Sequence, residues 1–83
     1  MSKASAERRN ALPASSTKQV LYAVGNEHLE LVRGNGYWYF IYDDAAKGRF
    51  NTTSIYTMYL RDFTVNAWAD MGREFVAKME SDK

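Results

Sequence analysis

The amino-acid sequence predicts an α+β protein in which a three- or four-stranded antiparallel β-meander packs against one carboxy-terminal α-helix. Three observations predict this fold class. Two strand-like runs flank the step Asn35-Gly36, β-branched and aromatic residues crowd positions 52–59, and apolar residues recur at helical spacing after Thr64. The chain has 83 residues, which is enough for one small domain.

The composition restricts how so short a chain can become stable. There is no cysteine, so neither a disulfide nor a thiolate metal site can form. Six Tyr, four Phe and two Trp supply large apolar area per residue. We therefore expect an aromatic core, with a second copy of the chain as one way to complete it.

Charge and hydropathy exclude several classes of protein. The net charge of +1 provides no strong field toward nucleic acid or a membrane surface. No apolar run is long enough to cross a bilayer or to form a signal-peptide core, so the expected compartment is the cytoplasm. Residues 1–18 are rich in Ser, Ala and charge and are predicted to be a disordered arm, whereas residues 19–81 are predicted to form the domain.

Residues 19–24 form an apolar run that is too short for periodicity to assign. Their β-branched and aromatic content favours a strand, and we adopt that interpretation. The alternative is a short helix with Ser16 as its N-cap and Gly25 as its C′ residue.

Residues 28–33 and 37–43 are predicted to form a hairpin around Asn35-Gly36. An Asn-Gly pair between apolar runs favours a two-residue type I′ turn. A three-residue loop would instead set Glu30 against Phe40 and bury a carboxylate without a partner. The two-residue loop predicts these opposed pairs: Arg33 with Trp38, Leu31 with Phe40, and Leu29 with Tyr42.

The rest of the chain is predicted to be a third strand and a helix. Residues 50–60 are dense in β-formers, and residues 64–80 carry an apolar stripe with Thr64 as the natural N-cap. Gly72 lies within that stripe, which indicates close approach to an aromatic side chain of the sheet, with Trp38 as the candidate. The predicted stripe consists of Val65, Trp68, Phe75, Val76 and Met79.

Residues suited to catalysis are few. His28 is the single histidine, and the predicted register sets it opposite Asp43. We interpret the two as a solvated cross-strand pair, because no nucleophile or oxyanion site accompanies them. Asp43 and Asp44 begin an acidic turn that has too few regularly spaced oxygen ligands for Ca²⁺. We therefore predict no catalytic residue, no metal and no cofactor, and a protein that is not an enzyme.

One face of the predicted sheet is left without a helix to cover it. If Trp38, Phe40 and Tyr42 face the helix, the residues between them point the other way. An apolar surface of this kind marks a binding site for a protein partner, which we expect to be a second copy of the chain in a homodimer. The alternative is that residues 20–24 fold over this face. The third strand adds either Ile55 and Tyr59 or, in the other phase, Tyr56 and Met58. The predicted partner-binding residues are Val32, Tyr37, Tyr39, Ile41 and Ile55.

A second hypothesis is an accessory protein that binds single-stranded nucleic acid. Arg33, Lys47 and Arg49 lie near the ends of the hairpin and of the following loop. Together with exposed Tyr37 and Tyr39 they would combine phosphate contacts with a stacking platform. The near-neutral net charge makes this the alternative rather than the preferred hypothesis.

Residues 36–76 carry a resemblance to known sequences. The stretches are Gly-Tyr-Trp-Tyr-Phe-Ile-Tyr-Asp-Asp from Gly36, Thr-Ser-Ile-Tyr from Thr53, and Trp68 followed by Gly-Arg-Glu-Phe-Val from Gly72. They resemble short proteins of bacterial plasmids and phages that have no assigned activity. The resemblance implies a bacterial or mobile-element origin and carries no functional residue over to this chain.

Overall fold

In the part of the chain that the structure describes, a three-stranded antiparallel sheet carries two helices packed on one of its faces. The computed structural model describes residues 10–81. The strands are consecutive in the sheet and form the predicted meander, in the α+β class. In chain order the elements are α1 (Thr17–Val24), β1 (Leu29–Arg33), β2 (Trp38–Asp44), β3 (Arg49–Ile55) and α2 (Val65–Ser81).

The segment predicted as a fourth strand is helix α1, so that prediction is wrong. The Ser16 hydroxyl accepts from the Gln19 amide at 3.3 Å, and the Gln19 side chain accepts from the Ser16 amide at 3.2 Å. At the other end Gly25 is left-handed at φ 73°, and its amide donates to the Leu21 carbonyl at 2.9 Å. A reciprocal N-cap and a glycine C-cap therefore decide an assignment that the apolar run leaves ambiguous.

The packed domain begins earlier than residue 19. Pro13 forms an isolated antiparallel bridge with Thr64, and Ala14 is only 1% exposed. The Ala14 amide donates to the Phe63 carbonyl at 3.0 Å. The expected disorder of the arm is thus wrong for these positions, because a backbone pairing fixes them against the start of α2. Residues 1–9 lie outside the described residues, and their expected disorder stays a prediction.

The hairpin has the predicted register, with the three opposed pairs named above all present. Its turn is not type I′, however. Gly36 has φ 83° while Asn35 has a negative φ, which is the sign pattern of a type II turn. Such a turn needs the left-handed region only at its second central residue, where glycine adopts it without steric cost. The Gly34 amide donates to the Tyr37 carbonyl at 2.7 Å, which pairs the two residues that flank the turn.

The third strand is shorter than predicted and ends at Ile55. The residues after it form a loop and a 3₁₀ turn, Leu60–Asp62. The Asp62 carboxylate organises this loop by accepting from the Thr57 hydroxyl and from the Tyr59 amide. These local bonds compete with continued strand pairing, which explains why a run of β-formers leaves the sheet.

Helix α2 begins as predicted, since the Thr64 hydroxyl accepts from the Ala67 amide at 3.1 Å. Gly72 lies where the helix approaches the sheet, but its aromatic neighbour is Phe40 rather than Trp38. A Cβ added at Gly72 would lie 3.2 Å from the Phe40 ring and 3.0 Å from Val24. Trp38 instead packs edge-to-face on Trp68, with ring centroids 6.2 Å apart.

The core lies between the sheet and the two helices. Its largest fully buried side chains are Trp68, Tyr42, Phe40, Val20 and Val65. Trp38, Phe40 and Tyr42 all lie on this side, as the predicted register requires. We name the covered side of the sheet the helix face and the opposite side the outer face.

Candidate protein-binding face

The outer face is built by alternate residues of the three strands and by the residues next to them. Opposed residues in an antiparallel sheet point to the same side, so the strand register assigns each one. Ile55 pairs with Trp38 and packs against the core, so its predicted place on the outer face is wrong. The large side chains of the outer face are Val32, Tyr37, Tyr39, Ile41, Phe50 and Tyr56.

Three tyrosine rings form a row across this face. The Tyr37 ring lies 5.9 Å from the Tyr39 ring and 6.0 Å from the Tyr56 ring, measured between centroids, with interplanar angles of 36° and 39°. Gly34 makes room for the central ring, since a Cβ at that position would lie within 2.8 Å of three Tyr37 ring atoms. Packing within the row restricts Tyr37 before any partner arrives, which lowers the entropy cost of binding.

Exposure differs along the face. Tyr56 is 86% exposed and Phe50 is 65% exposed, which are large fractions for aromatic side chains. Val32, Tyr37, Tyr39 and Ile41 are half-buried by their neighbours in the sheet. The face therefore has a centre that is already packed and two aromatic side chains that stand out from it.

No element among residues 10–81 covers the outer face. Val20 is fully buried in the core with residues of α2, and Leu21 and Val24 pack against that core. The alternative in which residues 20–24 fold over the outer face is therefore wrong. The amphipathic face of α1 is directed to the same side of the sheet as α2, because both share one apolar core.

The charges on the outer face are acidic. Glu30 pairs with Ile41 and Asp43 pairs with Phe50, so both carboxylates are directed to this side. None of the outward positions of β1, β2 or β3 is a lysine or arginine. Chemically, the face offers tyrosine hydroxyls that hydrogen-bond, rings that bury apolar area, one carboxylate on the edge strand β1 and one near the end of the central strand β2.

The structure does not bring the three predicted nucleic-acid contacts together. Arg33 lies at the hairpin end of the sheet, whereas Lys47 and Arg49 lie at the other end of β2. Seven residues of extended chain separate these ends by about 20 Å. Arg49 is also engaged, since its guanidinium donates to the Met79 carbonyl at 2.9 Å.

His28 contacts Asp44 rather than the side chain of Asp43. Its Nε2 lies 3.7 Å from an Asp44 carboxylate oxygen, and its ring packs edge-on to Tyr42 at 5.7 Å. The backbone pairing of His28 with Asp43 is as predicted, with the Asp43 amide donating to the His28 carbonyl at 3.0 Å. Asp44 also accepts from the Lys47 amide, which caps the following 3₁₀ turn, so the carboxylate has a structural role.

The hydroxyl of Tyr42 is held inside the same end of the domain. It donates to a Glu80 carboxylate oxygen at 3.1 Å. Burial, reinforced by the hydrogen bond to Glu80 and by the negative charges of Glu80 and Asp44, raises the pKa of Tyr42 against an opposing effect of Arg49. Tyr42 is thus kept neutral as part of the core.

Sequence reasoning missed Phe50 and gave Tyr56 only as the alternative to Ile55. The sequence shows that alternate residues of β3 point to the same side, but it does not show which set points outward. That depends on how β3 pairs with β2, and no turn motif determines this pairing in the way that Asn35-Gly36 determines the pairing of β1 with β2. It also missed a groove of about 570 Å³ at the hairpin end, because residues 13–15 and 58–61 meet there from distant parts of the chain.

Comparisons with protein-family models, with curated proteins and with solved structures found no match. The resemblance to plasmid and phage proteins therefore stays a prediction, and the site is argued from its geometry. Within residues 10–81 no helix has the length and apolar character needed to cross a membrane. The same part of the chain holds no group of three or more His, Cys, Asp or Glu side chains placed to bind a metal.

Proposed function

We propose that this protein is a non-enzymatic interaction module that binds a protein partner, a second copy of itself, through the outer face. The observation that supports the proposal is the row of Tyr37, Tyr39 and Tyr56, together with exposed Phe50 toward the other end of the same face, all of which no described element covers. Tyrosines are enriched among the residues that contribute most to protein interfaces. Tyrosine side chains bury a large apolar area with little loss of conformational entropy, and their hydroxyls can hydrogen-bond to water at the edge of an interface.

The size of the face indicates which class of interface it can form. β2 is about 20 Å long and three strands are about 15 Å across, so the face projects about 300 Å². A stable interface of standard size buries about 800 Å² on each partner. The outer face alone projects less than that, so we expect a weak, reversible dimer and take a dissociation constant on the order of 10 μM as the value that the experiment should bracket.

Nucleic-acid binding receives less support from the arrangement of charges. The tyrosines share their face with Glu30 and Asp43, which repel phosphate. Arg33 belongs to the opposite side of the sheet. A stacking platform needs cations beside its rings, and the outward strand positions provide carboxylates instead.

The experiment is sedimentation equilibrium on the full chain from about 1 to about 300 μM, a range that brackets the expected dissociation constant. The test variant replaces Tyr37 and Tyr39 by Ser. The matched control is Tyr22→Ser, because Tyr22 is 91% exposed on α1, away from the sheet. We expect self-association of the wild type and the control with equal constants, and at least about tenfold weaker association of the test variant.

Two results would count against self-association. A wild-type protein that stays monomeric over the whole range would remove it. Equal weakening by Tyr22→Ser and by the double variant would show that the contact lies elsewhere or is unspecific. Far-ultraviolet circular dichroism of each variant checks that the fold is retained.

A further inference from the structure

A groove at the hairpin end of the sheet is separate from the outer face. Two irregular segments, residues 13–15 and 58–61, form its walls, and Arg33 and Trp38 reach it from the two strands. Its volume of about 570 Å³ falls in the range of sites that enclose a small ligand or a few residues of a peptide. Both strand residues point to the helix face, so the groove and the tyrosine row use different sides of the sheet.

The groove is cationic. Arg33 and Arg61 line it and are exposed, and no acidic side chain is among its described lining residues. Neither arginine forms an ion pair with another residue in the 10–81 range. The nearest carboxylate along the chain, that of Asp62, accepts hydrogen bonds from the Thr57 hydroxyl and the Tyr59 amide, and it interacts with the charge of Arg61 without forming an ion pair with it.

Arg61 is held in place before a ligand binds. Its guanidinium carbon lies 4.3 Å from the centroid of the Tyr59 ring, a cation–π contact. The loop beneath it is fixed by Asp62 and by the Trp38 indole, which donates to the Met58 carbonyl at 3.2 Å. A pre-positioned guanidinium can bind a carboxylate through two parallel hydrogen bonds with little further loss of conformational entropy.

Apart from Ser15 and the Tyr59 hydroxyl, the rest of the described lining is apolar, and its most exposed ring is that of Tyr59, which is 44% exposed. Pro13, Met58 and Leu60 contribute aliphatic contacts, Trp38 is buried, and Arg61 covers one side of the Tyr59 ring. Bases of single-stranded nucleic acid bind by stacking on open aromatic faces. An aliphatic side chain fits this lining better than a base does.

The sequence before residue 10 is an unsuitable occupant on charge grounds. It contains Lys3, Arg8 and Arg9 against one acidic residue, Glu7. Placing those cations beside Arg33 and Arg61 would add like-charge repulsion. The complementary occupant is an anionic segment of another molecule.

We propose that the groove binds an acidic peptide segment of a protein partner, one that also carries an aliphatic side chain. Arg33 and Arg61 hold its carboxylates, while Pro13 and Met58 contact the aliphatic group. This site is independent of the outer face, so the protein would join a second partner to whatever the tyrosine row binds.

The test is an NMR titration of the full chain labelled with ¹⁵N. The probe is a short blocked peptide that alternates Glu and Leu, with a Gln-for-Glu peptide and oligothymidylate as the comparison ligands. We expect the acidic peptide to shift the Trp38 indole resonance and the amides of residues 58–61, while the amides of Tyr39 and Ile41 stay in place. Arg33→Ala and Arg61→Ala should each weaken binding about tenfold.

Lys47→Ala is the matched control, because it removes an exposed cation at the far end of β2 and should leave the affinity unchanged. Either arginine variant is expected to fold, since the described structure gives neither side chain a hydrogen bond. If Lys47→Ala weakened peptide binding as much as the arginine variants do, the effect would come from the overall charge of the protein, and the proposed site in the groove would be wrong. An unshifted Trp38 indole at millimolar peptide, equal binding of the Gln peptide, or tighter binding of oligothymidylate would also overturn the site. Shifts confined to Tyr39 and Ile41 would overturn the groove while supporting the outer face.

Discussion

Neighbouring residues of β2 belong to two regions with opposite roles. Phe40 and Tyr42 are enclosed by both helices and are at most 1% exposed, whereas Tyr39 and Ile41 between them face away and meet no covering element among residues 10–81. These residues belong to one strand and differ only in the side of the sheet to which the pleated backbone directs their side chains. In so small a domain the helices supply enough apolar surface for one face. We therefore expect the aromatic residues of the other face to contribute less to folding, which leaves them for the proposed association.

The largest expected effect comes from truncating adjacent residues on the two faces. Phe40→Ala should lower the free energy of unfolding by about 3–5 kcal/mol, because it leaves a cavity beneath Gly72 and Trp68. Ile41→Ala, one residue away, should cost less than about 1 kcal/mol. Urea denaturation followed by circular dichroism measures both. Similar losses for the two variants would contradict the division of the sheet into a core side and a free side.

A smaller effect is expected where α2 meets the sheet. Gly72→Ala would gain about 1 kcal/mol in helix propensity, but its Cβ would lie within 3.2 Å of side chains from three other elements. Overpacking of that kind costs about 1–3 kcal/mol, so we expect a net destabilisation of about 1 kcal/mol.

The control for Gly72 is Ala77→Gly at an exposed position of the same helix, which should lose about 1 kcal/mol through propensity alone. Thermal and urea denaturation of both variants compares them. Stabilisation by Gly72→Ala would show that the contact between helix and sheet is looser than described.

The smallest expected effect is a pH dependence of stability that comes from Tyr42, on the covered side of the sheet. The pKa of Tyr42 is raised above its ordinary value of 10.0. Its contribution to stability is therefore complete below that value and is lost as the pH rises through the pKa of the folded state. Tyr42→Phe should make the alkaline loss of stability shallower, as measured by urea denaturation at pH values from about 8 to about 12.

A Tyr39→Phe variant on the outer face is the control and should follow the wild-type profile. If Tyr42→Phe left the slope of unfolding free energy against alkaline pH unchanged, the buried hydroxyl would not cause the alkaline loss of stability.

The sequence predicted the hairpin side of the domain better than its other parts. The Asn35-Gly36 step predicted the loop length. Together with the cost of burying Glu30, it also predicted which residues of β1 and β2 face the core. Apolar spacing and Thr64 predicted α2. Residues 19–24 were assigned to a strand because composition was given more weight than Ser16 and Gly25, although capping residues carry the more specific physical signal.

The candidate site was predicted in part. Four of its residues follow from the β2 pleat, namely Val32, Tyr37, Tyr39 and Ile41. The contribution of β3 did not follow, because Ile55 and Tyr56 exchange faces with a one-residue change in pairing. The groove could not be predicted at all, since the Pro13 bridge to Thr64 that brings its walls together is a long-range contact without a local motif.

The most direct test of the central claim measures which tyrosines become hidden when the protein associates. Photochemically induced nuclear polarisation with a flavin dye reports the accessibility of each tyrosine ring, and Tyr22 serves as an internal reference on α1. Raising the protein concentration through the association range should suppress the signals of Tyr37, Tyr39 and Tyr56 and leave that of Tyr22 unchanged. Loss of the Tyr22 signal with retention of the other three would contradict the account.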